Sequence, residues 1–364
     1  MTISLNAPKN KKKILVVDDS ALMRRIICDI INSDQNFQAT DYCRDGLEAY
    51  EKLKTKSYDG VVLDVNMPRM GGLQLLERLQ KEHIKAKVVM VSTLTTKDAD
   101  VTILAMERGA IDFVTKPNNI IEAKGEDFKR QLLSVLTAVY ETQQWNSVHT
   151  ISSLTKKKIS ASNNRIKAVN PGKKLVALAC STGGPKALQS VVPYLPKKLD
   201  APVVIVQHMP AGFTKSMADR LNEVSDIHVK EAEDGDVLKK GTIYIAPGGK
   251  HMEIKKSPDG SHKIRLNDEL PPIGGLKPCA DITYDSLRTC GYDQIVCVVL
   301  TGMGADGTLG IGALGEKNNI YVISQDEATS VVYGMPRAVA EAKLSDEVQP
   351  LDKIAEAVTR NVGC

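Results

Sequence analysis

A serine, a histidine and an aspartate occupy matching places in the second half of the chain. Ser181 follows the apolar run Leu175 to Cys180, His208 follows Val203 to Gln207, and Asp306 lies in a glycine-rich loop after Ile295 to Leu300. Short apolar runs of this kind read as buried strands. In a parallel sheet the C-terminal strand ends share one edge, so the three side chains reach a common place. Together they have the chemistry of acyl transfer: Ser181 attacks, His208 takes and returns the proton, and Asp306 orients the imidazole and stabilises its charged form. Between the first two strands, Pro185 to Leu195 repeats Leu188, Val191 or Val192, and Leu195 at helical spacing, the crossover of a right-handed βαβ unit. Gly183 and Gly184 permit a tight turn, and Pro185 suits a first helical turn whose amides help to hold an oxyanion. The order Ser, His, Asp differs from that of the α/β-hydrolases, and G-x-S-x-G is absent. A plainer alternative stays open at this level, with Ser181 a helix N-cap and His208 a strand-end histidine satisfied by its neighbours.

A second group lies in the first half. Asp18 and Asp19 follow Ile14 to Val17, Asp64 follows Gly60 to Leu63, Ser92 follows Val88 to Val91, and Lys116-Pro117 follows Ile111 to Val114. Three carboxylates on one sheet edge repel one another unless a hard cation joins them, and Mg²⁺ suits oxygen ligands with retained waters. With that charge and Lys116 neutralising the site, Asp64 is placed to attack a phosphoryl group and Ser92 to hydrogen-bond the phosphate. Helix capping accounts for Asp18 or Asp19 singly, but not for five matched strand ends.

The elements that must position these residues form two α/β domains. The chain has 364 residues, enough for two ordinary cores. From Lys13 to about Lys116 five strand candidates, the four runs above and Phe37 to Tyr42, alternate with amphipathic stretches. Ala21 to Ile31 carries Leu22, Ile26 and Ile30 on one face, and Gly72 to Leu79 repeats leucines at helical spacing. The expected fold is a five-stranded parallel (βα)5 domain over residues 12–130. A helix near Phe128 to Tyr140 closes it, and residues 131–171 hold the helix end and a flexible linker, polar from Asn146 to Pro171. Residues 172–364 read as a doubly wound, mainly parallel α/β domain with further strands at Ile243 to Ala246 and Ile320 to Ser324. His251 to Ile254 and Lys263 to Leu266, around Pro258-Asp259-Gly260, read as a small antiparallel hairpin.

Composition narrows the function classes. Forty-eight basic against 44 acidic residues leave a net charge of +4 with no basic stripe, so no nucleic-acid partner is expected. The Lys156 to Lys158 run reads as solvated linker charge. The seven cysteines lack C-x-x-C spacing and read as reduced thiols; Cys180 is expected to face the core while Ser181 faces the cleft. Neither a signal-peptide core nor about eighteen uninterrupted apolar residues are present, which points to a cytoplasmic protein without membrane insertion. Gly302-Met303-Gly304-Ala305-Asp306-Gly307 matches G-x-G-x-x-G, but Asp306 inside the loop would repel a pyrophosphate. His251 reads as a turn residue near the rim of the site, and His83, His149, His228 and His262 show no convincing partners.

Two resemblances run along these residues. Val16-Val17-Asp18-Asp19-Ser20, Leu63-Asp64-Val65-Asn66-Met67-Pro68 and Phe113-Val114-Thr115-Lys116-Pro117 resemble the receiver domain of two-component response regulators. That likeness implies Asp64 as phosphoacceptor, a histidine kinase as donor, and Ser92 and Phe113, with Lys116, as the switch. Asn66 and Gly71 stand where acidic residues are common in related receivers, which bears on metal affinity. Ser181-Thr182-Gly183-Gly184-Pro185, Val206-Gln207-His208-Met209-Pro210, Ala246-Pro247-Gly248-Gly249-Lys250-His251 and the Leu300 to Gly307 loop look like the chemotaxis protein-glutamate methylesterases, the CheB family. This second resemblance implies hydrolysis of glutamate methyl esters, and deamidation of glutamines, on methyl-accepting chemotaxis receptors. It further implies phosphorylation by the kinase CheA with Mg²⁺ at Asp18, Asp19 and Asp64, no cofactor for ester hydrolysis, and an oxyanion hole from the Thr182 and Met303 amides. A complete receiver joined to a complete hydrolytic site leads to the expectation that the unphosphorylated receiver covers the cleft.

Overall fold

The computed structural model describes residues 11–117, 119–141 and 172–364. The linker from Asn146 to Pro171, with His149 and the Lys156 to Lys158 run, lies outside the described residues.

Alternation of short apolar runs with amphipathic stretches gives the first domain its form. Its strands are β1 (Lys12–Val17), β2 (Phe37–Cys43), β3 (Gly60–Asp64), β4 (Val88–Ser92) and β5 (Asp112–Thr115). They pair in parallel in the order β2-β1-β3-β4-β5. β3 and β4 are buried along their whole length, as strands covered on both faces must be. The covering helices are α1 (Ala21–Ser33), α2 (Gly46–Thr55), α3 (Gly72–Lys81) and α4 (Thr96–Glu107), with the short α5 (Ile120–Ala123) and α6 (Glu126–Glu141) closing the layer. Ser20 caps α1 by accepting from the Met23 amide, and Ile26, Ile27, Ile30 and Ile31 turn inward from it. α6 contributes Phe128, Leu132, Leu136 and Val139 to the same apolar cluster.

The second domain is a seven-stranded parallel sheet. It holds β6 (Lys174–Cys180), α7 (Gly184–Val191), β7 (Val203–Gln207), α8 (Phe213–Glu223), β8 (His228–Glu231) and β9 (Thr242–Ile245). The antiparallel pair β10 (His251–Lys256) and β11 (His262–Asn267) follows, then α9 (Ala280–Ser286), β12 (Gln294–Val299) and α10 (Thr308–Gly315). β13 (Ile320–Gln325), α11 (Met335–Glu341), β14 (Glu347–Gln349) and α12 (Ile354–Val362) complete it. The order is β14-β13-β12-β6-β7-β9-β8. From β6 the chain winds outward through β7, then returns to β12 on the other side of β6. The reversal opens a crevice beyond the ends of β6 and β12, the usual binding place in such sheets. α7 is shorter than its leucine spacing suggests. It ends at Val191 and passes into a 3₁₀ turn, Val192–Tyr194, where Pro193 offers no amide. β8 and β14 were not anticipated: both lie on the sheet edges and carry polar residues, which an apolar-run criterion passes over.

The domains share a packed interface. α4 lies on α7 and α8. Phe113 of β5 stacks on Phe213 of α8 with ring centroids 4.4 Å apart, and Arg220 of α8 grips Glu107 of α4 through two bonds of 2.6 and 3.0 Å. Among the described residues, no helix is long and apolar enough to cross a membrane.

Candidate active site and phosphoacceptor pocket

Ser181 begins the turn between β6 and α7. Its amide donates to the Thr301 carbonyl (3.0 Å), and its own carbonyl accepts from Gly184 (2.7 Å). Gly183 sits at φ +77°, where side chains are strained, and is the residue that caps α7. The N-cap role open for Ser181 on sequence alone is thus filled by Gly183. Gly302 of the β12 loop lies directly against the Ser181 turn, since a Cβ there would stand 2.9 Å from the Ser181 Cβ. The G-x-G-x-x-G pattern therefore records close packing beside Ser181. Cys180 is fully buried, while Ser181 opens into the cavity described below.

His208 and Asp306 meet across the crevice, with Nε2 of the histidine 2.7 Å from Oδ2 of the aspartate. Asp306 also accepts from the Ala280 amide (2.7 Å), the Asp281 amide (3.0 Å) and the Cys279 thiol (3.1 Å) at the start of α9. Burial pushes its carboxyl upward, but the hydrogen bond and charge of His208 and the two amides outweigh this and hold it at about 2. Burial pushes the Cys279 thiol up to about 12, so it stays a neutral donor. With Nε2–H directed to Asp306, a neutral imidazole leaves its lone pair on Nδ1, which is buried without a hydrogen-bond partner among the described residues. Ser181 Oγ is likewise not hydrogen-bonded to His208. The Thr182 and Met303 amides, on the two loops flanking the crevice, donate to no acceptor among the described residues.

The first domain lies over this site. A cavity of about 370 Å³ is walled on one side by Ser181, Thr182, His208 and Met209 and on the other by Phe113, Thr115, Gln131 and Ser134. Asp112, at the start of β5, is buried beside the Ser181 turn and accepts from the Phe113 amide at 2.8 Å. Burial outweighs that bond and the attraction of the nearby Thr182 hydroxyl and Gly183 amide, and pushes Asp112 up to about 6. Met303 lies against Ser134 of α6, Sδ to Oγ 3.4 Å.

At the far edge of the first sheet, oxygens of Asp18, Asp19 and Asp64 gather within 4.8 Å of one another. Lys116 bridges two of them, with Nζ 2.8 Å from Asp18 and 2.7 Å from Asp64. Burial is the largest influence on Asp64 and pushes it up to about 6 against the attraction of Lys116. A purely carboxylate donor set with excess negative charge fits a hard divalent cation of the Mg²⁺ kind. Ser92 Oγ is fully buried and accepts from Thr102 of α4 (2.8 Å), so it is tied to the helix that carries the domain interface.

Several sequence expectations require correction. His251 is fully buried at the start of β10 with Nε2 3.1 Å from the Pro271 carbonyl, and so belongs to neither a rim nor a turn. His262 has partners, bonding the Cys290 carbonyl at 2.8 Å and stacking on Tyr292, and His228 pairs with Asn222 at 3.0 Å. Three residues of the site were passed over: Gln207, Cys279 and Asp112. A charged residue inside the Ile111 to Val114 run was a signal for Asp112. For Cys279 the sequence offers none.

Fold and site together define a response-regulator receiver joined to a hydrolase-like α/β output domain. Residues 14–124 match the model of the response regulator receiver domain, and residues 176–358 match that of the CheB methylesterase. The chain is 42% identical over 96% of its length, and 99% of the relative's, to the protein-glutamate methylesterase/protein-glutamine glutaminase of Geobacillus kaustophilus. It is 42% identical to the protein of the same name from Pyrococcus horikoshii, over 97% of this chain and 94% of that one. The crystal structure of the Thermotoga maritima CheB methylesterase catalytic domain is 42% identical, covers 51% of this chain and 97% of its own, and superposes with a TM-score of 0.49. The chain belongs to the CheB methylesterase family and carries that family's receiver domain.

Proposed function

We propose that this enzyme hydrolyses γ-glutamyl methyl esters on methyl-accepting chemotaxis receptors, releasing methanol and glutamate, and deamidates receptor glutamines at the same site. Ser181 Oγ attacks the ester carbonyl as its proton passes to His208 Nδ1, the nitrogen that the Asp306 contact leaves free. The Thr182 and Met303 amides face the oxyanion. His208 then gives its proton to the departing methoxide, and a water deprotonated by His208 hydrolyses the acyl-enzyme. The ion pair with Asp306 stabilises the imidazolium in both steps, and that carboxylate, held at about 2, stays charged throughout.

Phosphorylation of Asp64 by a chemotaxis histidine kinase, CheA, controls the cleft. Asp18, Asp19 and Asp64 would hold Mg²⁺, which offsets charge on the incoming phosphoryl group. The phosphate on Asp64 draws Ser92 Oγ toward it and away from Thr102, loosening α4 at the interface that Phe113 also shares. The observation that carries this reading is the cavity containing Ser181 and His208, half of whose wall belongs to the receiver. With no membrane-spanning helix among the described residues, we place the enzyme in the cytoplasm, acting on receptor segments exposed there.

Methanol release from methylated receptor membranes tests the whole reading. Release should rise with a small phosphodonor and Mg²⁺, vanish in Ser181→Ala, and lose its stimulation but not its basal level in Asp64→Ala. A folded wild type that releases no methanol refutes it.

A further inference from the structure

We propose that Gln207 is a positioning residue that braces the nucleophile turn to the histidine loop, an inference that rests on the serine mechanism above. Gln207 ends β7 one residue before His208, pairs in register with Cys180 of β6, and is 1% exposed. Its carboxamide nitrogen donates to the Ser181 carbonyl at 3.0 Å and to the His208 carbonyl at 3.2 Å. One NH₂ group thus spends each of its two protons on a different catalytic residue. The orientation is determined by those partners, because a reversed amide would set its oxygen against two carbonyl oxygens.

The surroundings are built around this side chain. A Cβ on Gly184 would stand 1.9 Å from Oε1 and 3.1 Å from the Cys180 Cβ, so the second glycine of the turn is the space that Gln207 fills. Oε1 itself is buried with no hydrogen-bond partner among the described residues. A leucine or methionine would fill the same volume without an unpaired acceptor, so what the amide adds at this position is the pair of bonds its nitrogen makes. Without it, the His208 backbone is tied to the nucleophile strand by its amide bond to the Cys180 carbonyl at 3.2 Å. Ser181 Oγ and His208 Nδ1 must come within hydrogen-bond reach for proton transfer, and a misplacement of about 1 Å can cost about a hundredfold in rate. Gln207 touches neither substrate nor a reacting atom and acts through the two backbones.

The test compares full-length wild type, Q207L, Q207E and S181A by ester hydrolysis and by the rate at which a fluorophosphonate probe modifies the enzyme, with a thermal melt for each. Wild type is expected to be labelled and S181A not. Q207L should stay folded, lose roughly 10- to 100-fold in kcat and in labelling rate, and keep its KM. Q207E preserves shape but sets carboxylate oxygens against two carbonyls. Its activity relative to wild type should therefore be low at pH 8 and climb as the pH falls and a protonated carboxyl regains one donor. A merely structural role would lower the melting temperature and leave that ratio flat. Q207L with wild-type kcat, or a flat Q207E ratio, overturns the brace. If Q207L does not fold, the Q207E ratio decides alone. An unlabelled, inactive wild type overturns the serine mechanism and the brace with it, whereas failure of the brace alone appears only in the Gln207 variants.

Discussion

Replacing Glu107 by alanine should make the unphosphorylated enzyme more active without touching the catalytic machinery. Glu107 is the last residue of α4, and both its oxygens are held by Arg220 of α8, at 2.6 and 3.0 Å. The side chains are 18% and 31% exposed, so the pair is partly shielded from solvent. A bidentate, half-buried pair of this kind contributes about 1 kcal/mol, near the top of the range for exposed pairs. Arg220 keeps Glu223 as a partner within its own helix, so no buried charge is stranded. The substitution also removes a negative charge from a helix C-terminus, which stabilises α4 itself. The cost falls on the docked arrangement alone, and about 1 kcal/mol corresponds to roughly a fivefold shift toward the open form. At receptor concentrations below KM, basal methanol release should rise about fivefold, the phosphodonor-stimulated rate should stay where it is, and the exchange Glu107→Arg with Arg220→Glu should restore low basal activity. Unchanged basal release in a folded Glu107→Ala protein would refute the argument that this interface holds the cleft shut.

Three further outcomes follow from the charges in the two pockets. Burial at the docked interface pushes Asp112 from the ordinary carboxylate range up to about 6, so docking gains from protonation below about 4 and loses that gain as the pH rises through about 6. The basal activity of wild type relative to Asp112→Asn should therefore fall as the pH drops from about 7 to about 5; a flat ratio would sink the reasoning. Asp64 stands at about 6, and a cation competes with its proton, so Mg²⁺ affinity measured by calorimetry should weaken as the pH falls through that value. Asp306→Asn should lower kcat by about 10³- to 10⁴-fold by withdrawing the charge that supports the imidazolium, and a loss under tenfold would remove Asp306 from the mechanism.

Much of this arrangement was legible in the chain because it depends on strand ends. Buried parallel strands are short apolar runs, and the polar residue that terminates each must lie on one edge; Ser181, His208, Asp64 and Lys116 could be found that way. Contacts between residues far apart in sequence carry no local mark. The Asp306 cradle unites loops more than twenty residues apart, and Gln207 gains its two carbonyls only when β6 and β7 pair. Edge strands such as β14 escape for a different reason: one face is solvated, so their composition resembles a loop. His262 shows the same limit, since its partner carbonyl lies 28 residues away on Cys290.

The seat of Asp112 beside the Ser181 turn bears on how inhibition would look to a kineticist. Asp112 lines the same cavity as Ser181, Thr182 and His208, and the Thr182 hydroxyl and Gly183 amide lie close enough to favour its charged form. On the function proposed above, receiver and substrate would be rivals for one berth, and the tethered domain would act as an internal competitive inhibitor. Its hold should yield to crowding of substrate, as in a dense receptor array, and appear in KM before kcat. Reciprocity follows, because whatever occupies the cleft also favours the released receiver and with it the phosphorylated form of Asp64. A densely methylated array would in this way help to arm the enzyme that demethylates it.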